Sequence, residues 1–354
     1  MTSSQMKTLA ASVLLVVASS LAAHAQGDHF NTRGNILISD QYNNRVLEVN
    51  PMNHKIVWHF GNGSSVAGPH SVVGVNDSQR VGPFTLVAGT GVPPGAEPTC
   101  PSGCADNRVM LVDPAGQILW QYGKAGVTGS GPNQLNTPVQ NTWLPNFDIL
   151  VTDQVNERII EITLDRKIVW QYGQTGVSGA GADQLNNPNS AELLRNGHIL
   201  IADENNNRVI EVTRNHKIVW SYGCATCTQL SGAAFASRLR NGDTLITDSN
   251  NNRILEVDPT KNVVWSYVTN TRPGSVSSPL PTRAVRLRNG NTLISDQNNM
   301  QVIEVNPKGN IVFTQGKIAV AGTGFDMLNG PYDAKVIGDY TGLTPPFCFD
   351  DDCE

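Results

Sequence analysis

The stretch Gly197–Gly223, GHILIADENNNRVIEVTRNHKIVWSYG, recurs along the chain, and that recurrence decides what the chain can fold into. Its short β-branched runs are Ile199-Leu200-Ile201, Val209-Ile210 with Val212, and Ile218-Val219-Trp220. Asp203-Glu204-Asn205-Asn206 and Arg214-Asn215 separate them. Short runs bounded by Asn, Asp or Gly are strands joined by hairpins, not helices. Full copies begin at Gly34, Phe147, Gly242 and Gly290, and a split copy runs from Pro83 to Gly123, giving six in all. A phrase such as GQTGVSGAGADQLNNPNSAELLRNG (Gly173–Gly197) links copies. Its glycine-rich part reads as a crossing loop and Leu185–Arg195 as a fourth strand, placed before the other three.

Trp58, Trp120, Trp170, Trp220 and Trp265, with Phe313 in the sixth place, are separated by 62, 50, 50, 45 and 48 residues. Periods of about 40–50 residues with four strands per unit are propeller blades. The expected fold is therefore an all-β, six-bladed propeller with four antiparallel strands per blade. Each tryptophan is expected to pack between neighbouring blades. The blades read as 34–61 (blade 1), 68–123 (blade 2), 135–173 (blade 3), 185–223 (blade 4), 230–268 (blade 5) and 280–316 (blade 6). Blade 1 lacks its first strand, and Leu328–Ile337 matches Leu185–Leu194. Pairing that C-terminal strand with the first blade closes the ring and removes exposed sheet edges.

Lys7, the apolar run Leu9–Ala18 and Ala23-His24-Ala25 form a signal-peptide pattern over residues 1–25, cut before Gln26. The run falls short of the ~20 apolar residues of a membrane span, and no later segment is apolar enough. Periplasmic or extracellular export is expected. The formal charge of −5 becomes −6 once Lys7 is removed, which gives no basis for nucleic-acid binding. Six cysteines fall in the pairs Cys100/Cys104, Cys224/Cys227 and Cys348/Cys353. In an exported chain these read as local disulfides stiffening loops, ahead of thiol chemistry at Cys224-Ala-Thr-Cys227 or a zinc site.

Pro188, Gly197, Ile199, Asp203, Asn206, Arg208, Val209 and Gly223 resemble the NHL repeat, and the resemblance covers nearly the whole mature chain. The I-V-W-x-Y-G phrase is also similar to arylsulfotransferase and quinoprotein-like propeller repeats. Arg45, Arg108, Arg158, Arg208 and Arg253 recur, with Gln301 in the sixth place, so none is a unique catalytic group. Their expected partners are Asp40, Asp153, Asp203, Asp248 and Asp296; Gly89 stands in the aspartate position of blade 2. Asp203–Asn207 lacks the glycine and distal glutamate of a calcium loop and reads as a hairpin turn.

Structural residues repeat, so functional ones should break the pattern. The residues expected to open the inner strands are His70-Ser71, Val139-Gln140, Asn189-Ser190, Ala234-Phe235, Thr282-Arg283 and Tyr332-Asp333. His70, Arg283 and Tyr332 are candidate catalytic groups: base or nucleophile, anion stabiliser and proton donor. Ser71, Gln140, Asn189 and Asp333 are candidate ligand contacts. Between Gly89 and Arg108 an insertion holds Pro93-Pro94-Gly95 and Cys100/Cys104, read as a flap over the same face. The six-bladed amidating lyases of similar repeat type hold zinc with several histidines; only His70 falls at a strand start here, and no metal site is expected. No G-x-S-x-G, H-E-x-x-H or phosphate-loop motif occurs.

Two functional readings follow. One is an exported propeller that binds a small molecule, glycan or protein on its loop face. The other is a lyase, lactonase or sulfotransferase-like enzyme working at His70, Arg283 and Tyr332. The cofactor is left open; a quinone would call for further docking motifs.

Overall fold

The computed structural model describes residues 30–346. The signal-peptide region and the Cys348/Cys353 pair lie outside the described residues. Twenty-four strands form six four-stranded antiparallel sheets. In blade 4 they are Pro188–Leu193, Ile199–Asp203, Arg208–Val212 and Ile218–Gly223, from the axis outward. Ring closure is as expected. Pro331–Val336 pairs with Ile36–Asp40, matching Ile36 with Val336 and Ser39 with Asp333.

Alternation along each strand sends one set of side chains into the contact with the preceding blade and the other into the following one. Ile201 and Ile210 pack with Leu150, Ile159 and Tyr172 of blade 3. Leu200 and Val209 pack with Ile246 and Leu255 of blade 5. The tryptophans bridge the same junctions. Trp58, Trp120, Trp170 and Trp265 each donate the indole N–H to a carbonyl of the next blade, those of Pro114, Leu164, Arg214 and Pro307, at 2.8–3.1 Å.

The Asp-x-x-Asn turn is a clamp at one face of the ring. In blade 4, Asp203 Oδ2 accepts from Asn206 Nδ2 (2.7 Å) and Arg208 Nε (2.6 Å), while Oδ1 accepts from the Asn186 N–H (2.8 Å). Arg208 also donates to the carbonyls of Ala180 and Gln184 in the incoming loop. Asn207 then takes the left-handed conformation (φ +49°), which Asn tolerates better than most residues, and its Oδ1 accepts from Gly232 N of blade 5. One short phrase thus fixes the turn, the crossing loop and the neighbouring blade.

Two blades reach the same result with other residues. In blade 2, Asp106 replaces the missing aspartate, pairing with Arg108 (2.5 Å) and accepting from Val73 N. A Cβ on Gly89 would lie 2.5 Å from the Asp106 carboxylate, so the glycine makes room for it. In blade 6 Gln301 holds the arginine position, and Arg272 from the preceding loop bonds both Asp296 and Gln301.

Candidate functional site

Inner strands begin at the face that carries the clamps and the crossing loops. Pairing registers define equivalent positions: Gln140 lies opposite Thr152, Ser190 opposite Ala202, Phe235 opposite Thr247 and Arg283 opposite Ser295. In blade 2 the residue at this position is Asp77, opposite Ala88. The expected pair His70-Ser71 is therefore replaced by Asn76-Asp77. Blade 2 opens its inner strand with Val75, and the proline that guides the alignment elsewhere is represented only by Pro69, inside the preceding loop. His70 is exposed on that loop. Ser71 is buried beside it, with its hydroxyl on Val66 O and its carbonyl receiving Arg108.

The other candidates do converge on the axis, where each meets a buried polar or charged neighbour. Arg283, fully buried, meets Asp77 at 3.0 Å and Asp333 at 3.0 Å and stacks 4.3 Å from the Phe235 ring centre. Lys335 Nζ bridges Asp77 and Asp333, 2.6 Å from each, and also donates to Ser78 O. Burial pushes the Asp77 carboxyl up to about 6, against the pull of Lys335 and Arg283. Burial opposes the charge of Arg283, but Asp333, Asp77 and Glu192 reverse this and hold it above its ordinary value.

Towards the clamp face, Asn189 bonds the Tyr332 hydroxyl and Glu204 Oε2, each at 2.8 Å. Burial, followed by the nearby Glu204, raises the Tyr332 phenol well above its usual range, so it stays protonated. Gln297, Gln41 and Asn76 continue this lining as a chain of amides. Towards the opposite face, Gln140 donates to Glu192 (2.7 Å), and Thr344 from the C-terminal segment seals the end. Thr344 binds Glu192 through both its N–H (2.8 Å) and its hydroxyl (2.6 Å).

Below the ion-paired cluster remains a cavity of about 20 Å³, lined by Gln79, Arg80, Asn141, Glu192, Lys335 and Tyr340 among others. That is room for about one water, and both polar side-chain atoms of Asn141 lack a protein partner there. The axis is a closed polar core. Asp77, Glu192, Lys335 and Thr344 belong to it and were not anticipated. Asp77 was hidden by the missing proline, and Thr344 comes from outside any repeat.

The insertion in blade 2 lengthens its two middle strands to Phe84–Val92 and Cys104–Val112. Cys100 and Cys104 are bonded, with Cα atoms 5.5 Å apart, as are Cys224 and Cys227 at 5.0 Å. The flap packs Val92 and Cys100 on Val73, with Tyr42 alongside, and Asn329 donates to Glu97. It lies at the clamp face, over blades 1 and 2. Among the described residues no group of three or more His, Cys, Asp or Glu is placed to hold a metal ion. Nor is any helix there long and apolar enough to cross a membrane.

The chain is thus a six-bladed β-propeller with a filled axis. No family model matches it, and no curated protein matches it. Solved structures do. A protein of unknown function from Bacteroides caccae is similar, with a TM-score of 0.58 and 15% identity over 80% of this chain and 93% of that one. A streptogramin B lyase gives a TM-score of 0.51 and 14% identity over 78% of each chain. A catalytically inactive virginiamycin B lyase from Staphylococcus aureus with quinupristin gives 0.51 and 15%, over 81% of this chain and 86% of that one. At these identities the likeness establishes the fold alone.

Proposed function

We propose that this is an exported, NHL-like propeller that works by binding a partner or ligand on its clamp face, and does not turn over a substrate at its axis. The filled axis carries this reading. Arg283 is committed to two carboxylates, and Tyr332 is tied to Asn189. His70 lies outside the inner strand that would have brought it to them. The bonded cysteine pairs suit an oxidising compartment.

The crossing loops of the clamp face expose several apolar side chains. Val66 is 74% exposed and Phe325 68%, and Val127, Val177 and Val320 are exposed on other crossing loops of that face. Apolar groups gathered at one face, beside a stapled flap, form a recognition surface.

The test is a calorimetric screen of peptides, glycans and small polar molecules against wild type, Val66→Ser/Phe325→Ser and His70→Ala. Quinupristin is included because similar propellers are lyases. A ligand bound without turnover, and weakened about tenfold or more in the double variant, is the expected outcome. Consumption of quinupristin or of any bound ligand, abolished by His70→Ala in a folded protein, would restore the enzyme reading.

A further inference from the structure

At the face opposite the flap, the strand-one to strand-two turns of blades 4, 5 and 6 read Leu194-Arg195-Asn196-Gly197, Leu239-Arg240-Asn241-Gly242 and Leu287-Arg288-Asn289-Gly290. All three close alike, with Gly197 N on Leu194 O, Gly242 N on Leu239 O and Gly290 N on Leu287 O. Blade 3 makes the corresponding bond from Phe147 N to Leu144 O but carries Pro145 where the others carry arginine. The turn geometry therefore does not require the arginine. Three consecutive blades nevertheless have it, and all three side chains line one cleft of about 340 Å³.

The remaining walls decide what that cleft can hold. Arg238 adds a fourth guanidinium, and Glu192 and Glu211 are the only acids in the lining among the described residues. Both are occupied. Glu192 faces Gln140 and Thr344, and Glu211 takes His198 at 2.7 Å and Arg238 at 3.1 Å. Arg195 and Arg240 make neither an ion pair nor a hydrogen bond with any described residue. Arg195 and Arg240 thus bring two positive charges to the cleft with no counter-ion among the described residues. Leu194, Leu239 and Leu343 supply apolar surface, and Tyr340 a ring, so the lining is amphipathic. Tyr340–Leu343 of the C-terminal segment stand between this cleft and the small axial cavity, lining both at Tyr340 and Leu343.

We propose that this cleft is a binding site for a small organic oxyanion, its carboxylate, sulfate or phosphate held by Arg195 and Arg240 and its apolar body against Leu194, Leu239 and Tyr340. Guanidinium groups match such heads by paired, charge-assisted hydrogen bonds. The volume lies at the small end of ligand pockets, about 300–1,000 Å³, and fits a single ring with a charged head. The site is on the other face from the apolar recognition surface, so the two proposals stand or fall separately.

The test is calorimetric titration at low salt with phenyl phosphate, phenyl sulfate and benzoate, with phenol as the neutral analogue. Proteins compared are wild type, Arg195→Gln/Arg240→Gln and Arg166→Gln, the last removing a charge elsewhere on the same face. One-to-one binding of at least one anion, about tenfold weaker in the double variant and unchanged in Arg166→Gln, supports the site. Binding should also weaken as salt is raised, and the tightest of the three anions identifies the head group. No anion binding at millimolar concentration, equal binding of phenol, persistence in the double variant or an equal loss in Arg166→Gln overturns it. Unchanged circular dichroism of the variants confirms that a loss is not unfolding.

Discussion

Blade 4 and blade 6 carry nearly the same clamp, yet one is complete and the other improvised. In blade 4 both oxygens of Asp203 are satisfied from one repeat and its incoming loop. In blade 6, Asp296 keeps Asn299 and borrows Arg272, but its Oδ1 has no partner. The equivalent backbone donor is absent because Pro279 occupies the position of Asn186: the Asn298 N–H bonds Pro279 O as Asn205 N–H bonds Asn186 O. Burial accordingly pushes Asp296 up to about 6, with Arg272 only partly opposing it. A neighbour's arginine thus stands in for the missing one, whereas no described residue takes the place of the lost main-chain N–H.

The comparison can be broken most directly at its complete member. Asp203→Ala leaves Arg208 buried without its carboxylate and should cost about 3–5 kcal/mol in denaturant unfolding. Asp296→Ala removes an already underbonded group and should cost about 1–3 kcal/mol. Equal losses would mean that the missing bond in blade 6 has no energetic weight. Blade 2 supplies the next test. Gly89→Ala drives a Cβ into the Asp106 carboxylate and should cost about 1–3 kcal/mol; a neutral result would show that Asp106 has another place to go.

The smallest effect is the sharpest. Pro279→Ala restores a donor for Asp296 Oδ1. Because folding raises the Asp296 pKa, its favourable contribution is full below the ordinary value of 3.8 and is lost as pH climbs through about 6. A restored N–H lowers the folded pKa and shrinks that loss. Relative to wild type, the variant should gain about 0.5–1.5 kcal/mol between pH 4 and pH 7.5. The entropic cost of giving up a proline, about 0.4–1 kcal/mol, is the same at every pH and cancels from this difference. Parallel pH profiles would refute the account.

The fold was legible in the sequence because each blade spells out its own strands, turns and wedge, and six copies make the pattern hard to mistake. The clamp was readable for the same reason, down to the anomalies at Gly89 and Gln301. Their remedies were not, since Asp106 reaches in from the opposite strand and Arg272 from a loop with no counterpart. The axis was read half correctly. Arg283, Tyr332, Asp333, Gln140 and Asn189 sit in inner strands that keep the proline, so counting from it located them. Blade 2 starts with Val75, and counting from Pro69 displaced the choice from Asn76-Asp77 to His70-Ser71. That these groups neutralise one another depends on bonds across many residues of chain, such as Lys335 to Asp77, which no local pattern contains.

The seam in blade 1 has a consequence for biosynthesis. Its axial strand, Pro331–Val336, is made after all six repeat copies, and Lys335 and Asp333 on it complete the charge balance of Asp77 and Arg283. Until those residues leave the ribosome, Ile36–Asp40 has no partner on its axial side, and the central arginine lacks one of its two carboxylates. Ring closure and neutralisation of the core therefore come with the same strand.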